Sequence, residues 1–230
     1  MKTLKGKRLL ILGGSMWMDA IKQYATENGI TLIAIGSNTS AAIFDIADEG
    51  YCINSINNDE VKQFIKDKNI DGVYMGGSEI VISHACQYVN ELDMPCYCTK
   101  EQWDNLQNKS FFKEQCIKHG LPVVKRYHVE PDEVETKGAE LPYPVICKPT
   151  DGCGSNGFSV CHNLDEFIIG YKKAMDNSES GGVLIEDFVK NDGVVCFYTL
   201  SNGKAYFSGL EDKYPVRYEK FGSYVAGMHI

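Results

Sequence analysis

The sequence lacks an excess of basic residues and lacks long apolar runs. Lysine and arginine together number 23, against 31 aspartates and glutamates, which gives a formal net charge of −8. This balance argues against binding to nucleic acid or to an anionic membrane as the main activity. No apolar run approaches the roughly 18 residues of a membrane span, and residues 9–12 are too short for the apolar core of a secretion signal. We therefore expect a cytoplasmic protein whose partners include neither nucleic acid nor a membrane.

Paired cysteine motifs are also missing. The nine cysteines are odd in number, scattered, and mostly set inside apolar runs, where a buried thiol behaves as a small hydrophobic group. The closest pair, Cys96 and Cys98, has no second pair with which to complete a zinc site. The sequence predicts a reducing compartment and no structural metal.

Residues 1–99 alternate between short apolar strands and amphipathic helices. In the third predicted helix, Val61, Phe64 and Ile65 form the inward stripe. This alternation predicts an α/β, Rossmann-like domain whose parallel sheet is covered by helices on both faces. Strands are predicted at 8–12, 31–35, 51–53, 72–75 and 95–98, and helices at about 19–28, 40–47, from about 58, and at 78–92.

Glycine pairs follow two of these strands, in the Gly-Gly-Ser segments at 13–15 and 76–78. Because parallel strands end at one edge of a sheet, we expect both turns to face the same crevice. A dinucleotide site in the first turn would need a glycine where residues 16–18 are Met, Trp and Met. The segment therefore favours a tight turn over a NAD site, and a NAD-dependent oxidoreductase using Gly13 and Gly14 stays as an alternative.

Residues 100–230 follow a different pattern and are predicted to form a second domain of the α+β class. Thr99 and Gln102 match a capping box at the start of one helix, and Asn108 is placed to cap the next. Asn202-Gly203 is a strong hairpin signal between two apolar runs. A helix is predicted over 164–175 and strands over 183–189, 194–200 and 204–208.

The central motif of this half is a strand, a glycine-rich loop and a second strand over residues 143–160. Lys148 stands at the end of the first strand, and the loop places Gly152, Gly154 and Gly157 among small polar residues. Successive N–H groups in such a turn bind anions, and a nearby lysine supplies the positive charge that a phosphate requires. Taken alone, the loop favours a flexible hairpin, but the neighbouring segments change that interpretation.

Four motifs occur in a fixed order along the chain. They are Asn-Lys-Ser-Phe-Phe-Lys at 108–113, Gly-Leu-Pro-Val at 120–123, Pro-Val-Ile-Cys-Lys-Pro at 144–149 with the glycine loop, and Val-Leu-Ile-Glu-Asp-Phe-Val at 183–189. In this order they resemble the ATP-grasp superfamily, most closely its carbamoyl-phosphate-synthase-like members. The resemblance covers nearly the whole chain. It implies a pre-ATP-grasp domain over residues 1–99 and a partial, truncated ATP-grasp domain over residues 100–230.

The resemblance also implies nucleotide-binding roles by position. Lys109 and Lys148 match the two lysines that reach the phosphates, residues 151–158 match the loop that folds over them, and residues 186–189 match the hinge that reads adenine through backbone groups. A ribose-binding acid is expected shortly after the hinge, where only Asp192 is available. The implied ATP-binding residues are Lys109, Lys148, Asp151, Gly152, Gly154, Ser155, Gly157, Glu186, Asp187, Phe188 and Val189.

The activity implied by the resemblance is that of an ATP-dependent carboxylate–amine ligase. ATP and Mg²⁺ drive formation of an acyl phosphate, which an amine attacks. No catalytic residue is assigned, and the metal ligands are expected beyond Ile230. We therefore expect a truncated chain, or one half of a split enzyme, that is inactive alone. A non-catalytic ATP-binding or partner-dependent module is the first alternative. The expected partners are small carboxylate and amine substrates and a second copy of the chain in a homodimer.

Overall fold

The computed structural model describes residues 3–14, 17–151, 156–190, 194–218 and 223–229. The chain divides into two compact units, Met1–Leu106 and Gln107–Ile230. The domain boundary expected from the sequence, between residues 99 and 100, stays a prediction. Within the described residues, no helix is both long enough and apolar enough to cross a lipid bilayer.

The first unit is built on a four-stranded parallel sheet. Its strands are β1 (Arg8–Leu12), β2 (Thr31–Ile35), β3 (Glu49–Tyr51) and β4 (Gly72–Tyr74), and its described helices are α1 (Met18–Asn28), α2 (Ile43–Ile46), α3 (Asn58–Asp67), α4 (Glu79–Glu91) and α5 (Lys100–Gln107). The strands lie in the order β3-β2-β1-β4, and each neighbouring pair is parallel. The predicted α/β class with a parallel sheet is confirmed.

Both faces of this sheet are buried. Leu10 and Leu12 of β1 join a core with the side chains of α3 and α4, whereas Ile11 between them joins a second core on the opposite face. Successive strand side chains point to opposite faces, so a strand buried on both sides must be apolar throughout. The predicted inward stripe of α3 is confirmed, because Val61, Phe64 and Ile65 are all buried.

The turns after β1 and β4 lie against each other. Gly76 has a φ of 69°, and a side chain at this position would place its Cβ 2.0 Å from the carbonyl oxygen of Leu12. Only glycine allows this approach of two backbones. The two turns therefore adjoin at the carboxyl edge of the sheet, as predicted, whereas a ligand crevice there stays a prediction; Ser15 and Met16 lie outside the described residues.

The predicted fifth strand over residues 95–98 is wrong, since this segment pairs with no strand in the described part of the sheet. The N–H of Met75, which follows β4, donates to the hydroxyl of Tyr97 at 3.3 Å. The side chain of Asn90 donates to the carbonyl of Cys98, also at 3.3 Å. Side-chain hydrogen bonds and packing against the core thus replace a strand ladder.

The second unit contains two antiparallel sheets with helices. Its elements are α6 (Lys109–Lys118), β5 (Arg126–Tyr127), a 3-10 turn (Pro131–Glu133), α7 (Val134–Gly138), β6 (Val145–Pro149), β7 (Ser159–Cys161), α8 (Leu164–Asp176), β8 (Val183–Asp187), β9 (Val194–Ser201), β10 (Lys204–Tyr218) and β11 (Ser223–His229). The strand orders are β5-β8-β6-β7 and β9-β10-β11, and neighbouring strands in both sheets run antiparallel. The α+β prediction for this half is confirmed.

The sheet β5-β8-β6-β7, which we call the helix-backed sheet, has one dry face. Phe167 and Tyr171 of α8 are buried against Val145 and Cys147 of β6 and Ile185 of β8. The same strands project their remaining side chains to the opposite face, as alternation requires. That opposite face carries the polar residues discussed below.

The strands β9 and β10 form what we call the exposed hairpin. Asn202 and Gly203 take positive φ values of 50° and 72° at its turn, which confirms the hairpin predicted from Asn-Gly. Most described side chains of this hairpin are exposed, including large apolar ones such as Leu200 and Phe207.

Candidate functional site

A buried carboxylate marks the polar face of the helix-backed sheet. Glu186 lies in β8, between β5 and β6, and is only 4% exposed. Its Oε2 atom pairs with Nζ of Lys148 at 2.6 Å, and its Oε1 atom pairs with the ammonium group of Lys113. A buried carboxylate without partners would be strongly unfavourable. The two lysines therefore supply the partners that this buried carboxylate requires.

Strand alternation places Lys148 beside Glu186. In β6, Val145 and Cys147 face the core, so Ile146 and Lys148 face the other way. Ile146 pairs directly with Glu186, which makes Lys148 the diagonal neighbour of Glu186 on one face. The Lys148 side chain is 27% exposed, and its ammonium group contacts Glu186.

Lys109 lies at the start of α6, next to the beginning of the glycine loop. Asn108 caps this helix by accepting the N–H of Phe111 at 2.9 Å, as predicted. The backbone N–H of Lys109 donates to the carbonyl of Thr150 at 3.1 Å, and its Nζ donates to the carbonyl of Asp151 at 3.3 Å. A cation is disfavoured at a helix N-terminus, and the contact with Asp151 offsets part of that cost.

Asp151 anchors the first residue of the loop by its side chain. Its carboxylate accepts the Ser178 hydroxyl at 2.6 Å and the Ser180 backbone N–H at 2.9 Å. Burial alone would raise the pKa of Asp151, but the hydrogen bonds from Ser178 and Ser180 outweigh it and hold the pKa below its usual value. The side chain is thus bound to the segment before β8, and the contact with Lys109 comes from the backbone.

Gly157 lies at the other end of the loop, where close packing leaves no room for a side chain. Its φ is +76°, and a Cβ there would lie 2.7 Å from Cγ of Pro149 and 2.8 Å from Cβ of Asn177. The loop therefore returns to the sheet through a position that no side chain fits. The predicted loop residues Gly152, Gly154 and Ser155, and the predicted ribose ligand Asp192, lie outside the described residues.

The predicted hinge lies at the end of β8. The N–H of Asp187 donates to the carbonyl of Lys125, and the N–H of Phe188 donates to the carbonyl of Pro144, both at 3.1 Å. The carboxylate of Asp187 also accepts the Tyr127 hydroxyl at 2.6 Å. These bonds fix the direction in which the chain leaves the sheet, and Val189 is exposed beyond them. Adenine recognition by this segment stays a prediction.

Lys113 is the residue that sequence reasoning missed. It stands four residues after Lys109 in α6, so the two lysines share one helix face. That spacing was the available signal. Its side chain is 16% exposed, less than that of Lys148, and it joins α6 to the polar face of the helix-backed sheet through Glu186.

A cavity of about 450 Å³ opens between α6 and strands β5 and β8. Ser110 and Arg126 line it on the polar side, and Leu184 lines it on the apolar side. Among the described residues, no group of three or more histidines, cysteines, aspartates or glutamates is arranged to hold a metal ion.

Residues 108–197 match the family described as "Carbamoyl-phosphate synthase L chain, ATP binding domain". This match spans α6, the glycine loop, β8 and the start of β9, and the fold described above agrees with it. Over residues 108–197 the chain is similar to this ATP-binding domain of the ATP-grasp superfamily. The predicted resemblance is confirmed.

Two relatives illustrate how much of an ATP-grasp protein is present. The chain is 23% identical over 190 residues to the formate-dependent phosphoribosylglycinamide formyltransferase of Prochlorococcus marinus subsp. pastoris, covering 81% of this chain and 48% of that protein. It is 26% identical over 175 residues to the carbamoyl phosphate synthase large chain of Methanospirillum hungatei, covering 71% and 16% respectively. The chain thus spans about half the length of the first relative and a smaller share of the second.

A solved structure supports the ATP-grasp fold. The biotin carboxylase domain dimer of the Hydrogenobacter thermophilus 2-oxoglutarate carboxylase, in complex with MgADP, ADP and bicarbonate, matches with a TM-score of 0.75 and 20% identity. The match covers 90% of this chain and 50% of that one. At this identity the likeness shows the fold alone.

Proposed function

We propose that this chain binds ATP on the polar face of the helix-backed sheet. Lys109 and Lys148 contact the phosphates, residues 151–157 form the loop over them, and residues 186–189 receive the adenine. The predicted loop members Gly152, Gly154 and Ser155 belong to this proposal by position.

One observation carries the proposal: two lysines surround a single buried carboxylate. Lys113 and Lys148 bring two positive charges to Glu186, so the cluster keeps a net charge of +1. A third cation, Lys109, contacts the first residue of the glycine loop. Fixed positive charge beside a turn of backbone N–H groups is the arrangement that phosphates require.

Mg²⁺ is proposed to accompany the nucleotide. It prefers carboxylate and phosphate oxygens and neutralises the charge between the phosphates during transfer. Because the described residues offer no metal-binding group of three or more ligands, we assign no Mg²⁺ ligand among them. We propose that Mg²⁺ is bound by oxygens of the nucleotide phosphates and by residues outside the described part of the chain.

We further propose that this chain takes part in ATP-dependent carboxylate–amine ligation through an acyl phosphate. The names of the relatives support a small carboxylate or a related acid, since they mention formate and bicarbonate. Positioning and charge neutralisation dominate the rate of such phosphoryl transfer, and lysines held by packed elements supply both. A cytoplasmic location and a homodimer stay predictions.

Calorimetric titration of ATP into the Lys148→Ala variant tests the proposal. We expect ATP binding to weaken by about 1.5–3 kcal/mol, the scale of a hydrogen bond to a charged group. Lys172→Ala is the matched control, because Lys172 is an exposed lysine of α8 that pairs only locally with Asp176 at 2.7 Å. Unchanged affinity in Lys148→Ala would remove Lys148 from the site.

A thermal-shift screen separates this function from the NAD alternative. ATP should raise the melting temperature of the chain, because a ligand that binds the folded state stabilises it by mass action. NAD should leave the melting temperature unchanged. The reverse pattern would support a dinucleotide site at the turn after β1.

A further inference from the structure

We propose that Lys113 is a positioning residue that keeps Glu186 ion-paired when Lys148 turns from Glu186 to a nucleotide phosphate. This inference rests on the proposed function and deepens it. It assigns no direct ligand contact to Lys113. The role is instead to release the charge of Lys148 for the ligand.

The starting observation is the division of the two carboxylate oxygens. Oε2 of Glu186 contacts Lys148 at 2.6 Å, and Oε1 contacts Lys113. The Lys113 side chain is 16% exposed and that of Lys148 is 27% exposed. Lys148 is therefore the more accessible of the two cations, and Lys113 is the more enclosed.

Charge explains why both lysines are needed. With Lys148 alone, a phosphate would compete with Glu186 for one ammonium group. If the phosphate bound Lys148, the buried carboxylate of Glu186 would be left unpaired. Unpaired buried charges are strongly unfavourable. With Lys113 present, Glu186 keeps a partner when Lys148 moves, and the cluster offers a net charge of +1 to the ligand.

The position of Lys113 suits this role. Lys109 and Lys113 lie one helical turn apart on the same face of α6. The first contacts the carbonyl of Asp151 at the glycine loop, and the second contacts Glu186 of β8. One helix face thus reaches both the loop that would cover the phosphates and the carboxylate that restrains Lys148.

A purely structural role for Lys113 makes different predictions. If Lys113 only pins α6 to the sheet, its loss should lower the melting temperature and weaken all ligands alike. In our proposal, Lys148 still pairs with Glu186 in the Lys113→Met variant when no nucleotide is bound, so the fold of the variant is preserved. Its defect appears only when a phosphate requires Lys148.

The test is a double-mutant cycle by calorimetry on the full chain, with ATP and with adenosine as the probe without phosphates. Lys113→Met should weaken ATP binding about tenfold, the loss expected for one charged contact. Binding of adenosine should change less than about twofold, because no phosphate draws Lys148 away. Lys113→Arg should restore most of the ATP affinity, and Lys118→Met, at an exposed position of α6, serves as the control.

The second half of the cycle uses Glu186→Gln. In that background no carboxylate needs a partner, so adding Lys113→Met should change ATP binding by less than about twofold. A similar loss in both backgrounds would make Lys113 a direct phosphate ligand and overturn the proposal, and so would an equal loss for adenosine. A wild-type chain that does not bind ATP would overturn the proposed function as well. Normal ATP binding by Lys113→Met would overturn this inference alone.

Discussion

The helix-backed sheet and the exposed hairpin belong to the same unit and are both antiparallel, yet they bury their side chains differently. In β6, Val145, Cys147 and Pro149 are buried and alternate with less buried positions. In β9, seven of eight positions are exposed. Among the described residues, only the first of these sheets is backed by a helix, α8, whose Phe167 packs against it.

The difference teaches where a functional site can be built. A sheet with one dry face directs its polar residues to the other face from fixed positions, so Lys148 and Glu186 meet there at 2.6 Å. The exposed hairpin is held by its ladder and by cross-strand pairs such as Tyr198 and Phe207, whose rings lie 5.7 Å apart. Its described apolar side chains, such as Leu200 and Phe207, are largely exposed.

Removing one phenylalanine from each region should give the largest contrast. Phe167 is fully buried and Phe207 is 62% exposed. We expect Phe167→Ala to lower the free energy of unfolding of the helix-backed sheet by about 3–5 kcal/mol, because it leaves a cavity. Phe207→Ala should cost less than about 1 kcal/mol in the hairpin.

Segment-resolved hydrogen exchange measures the two regions separately. Amides of β6 and β8 should lose protection in Phe167→Ala, and those of β9 should be little changed in Phe207→Ala. Equal losses would mean that the hairpin is packed as tightly as the other sheet, against the exposure described here.

Two glycines sharpen the comparison further, because they share one backbone conformation. Gly157 and Gly203 have φ values of +76° and +72°, but a Cβ at Gly157 would overlap Pro149 and Asn177, whereas at Gly203 it meets nothing within 4 Å. Alanine at either site adds left-handed strain of about 1–2 kcal/mol. Gly157→Ala should lose about 1–3 kcal/mol more by overpacking.

Urea unfolding, followed by amide hydrogen exchange of the strands that flank each glycine, measures the stability loss in both variants. If the two substitutions cost the same, the strain alone would explain them, and the close packing around Gly157 would have no energetic weight. A larger loss at Gly203 would contradict the comparison outright.

Much of this fold follows from local sequence signals. The capping box at Thr99 forms as expected, with Gln102 N–H donating to the Thr99 hydroxyl at 3.1 Å and Thr99 N–H donating to the Gln102 side chain at 2.9 Å. The Asn108 cap and the hairpin at Asn202 also form. Each of these depends on atoms within a few residues, so a single sequence carries the information.

The misses concern contacts between distant residues. Local sequence does not reveal which face of β8 is buried, because Ile185 and Asp187 flank Glu186. The pairing of Glu186 with Lys113, 73 positions earlier in the numbering, is fixed by how α6 packs on the sheet. The expected strand at 95–98 failed for a similar reason, since Tyr97 takes the donor of Met75 that a strand would have used.

The smallest contrast concerns pH. Hydrogen bonds from Ser178 and Ser180 outweigh burial and hold the pKa of Asp151 below its usual value. A carboxyl whose pKa is depressed by folding stabilises the protein above its unfolded pKa, and this contribution is lost as the pH falls through the folded pKa. Ser178→Ala should therefore cost about 1 kcal/mol at pH 6, since the half-exposed carboxylate is also hydrated. This cost should shrink as the pH falls through the lowered folded pKa of Asp151, where the carboxylate becomes protonated.

The hairpin supplies the matched control, because Ser208 bonds a neutral group, the Thr199 hydroxyl, at 2.8 Å. Ser208→Ala should therefore cost the same at pH 6 and at pH 3, since neither partner titrates in that range. Melting temperatures of both variants and the wild type at the two pH values give the comparison, and carboxyl NMR of Asp151 locates its titration directly. A Ser178→Ala cost that is equal at both pH values would show that Asp151 is not the acceptor that matters. The anchor of the glycine loop would then have to be sought in the backbone bond between Lys109 and Thr150.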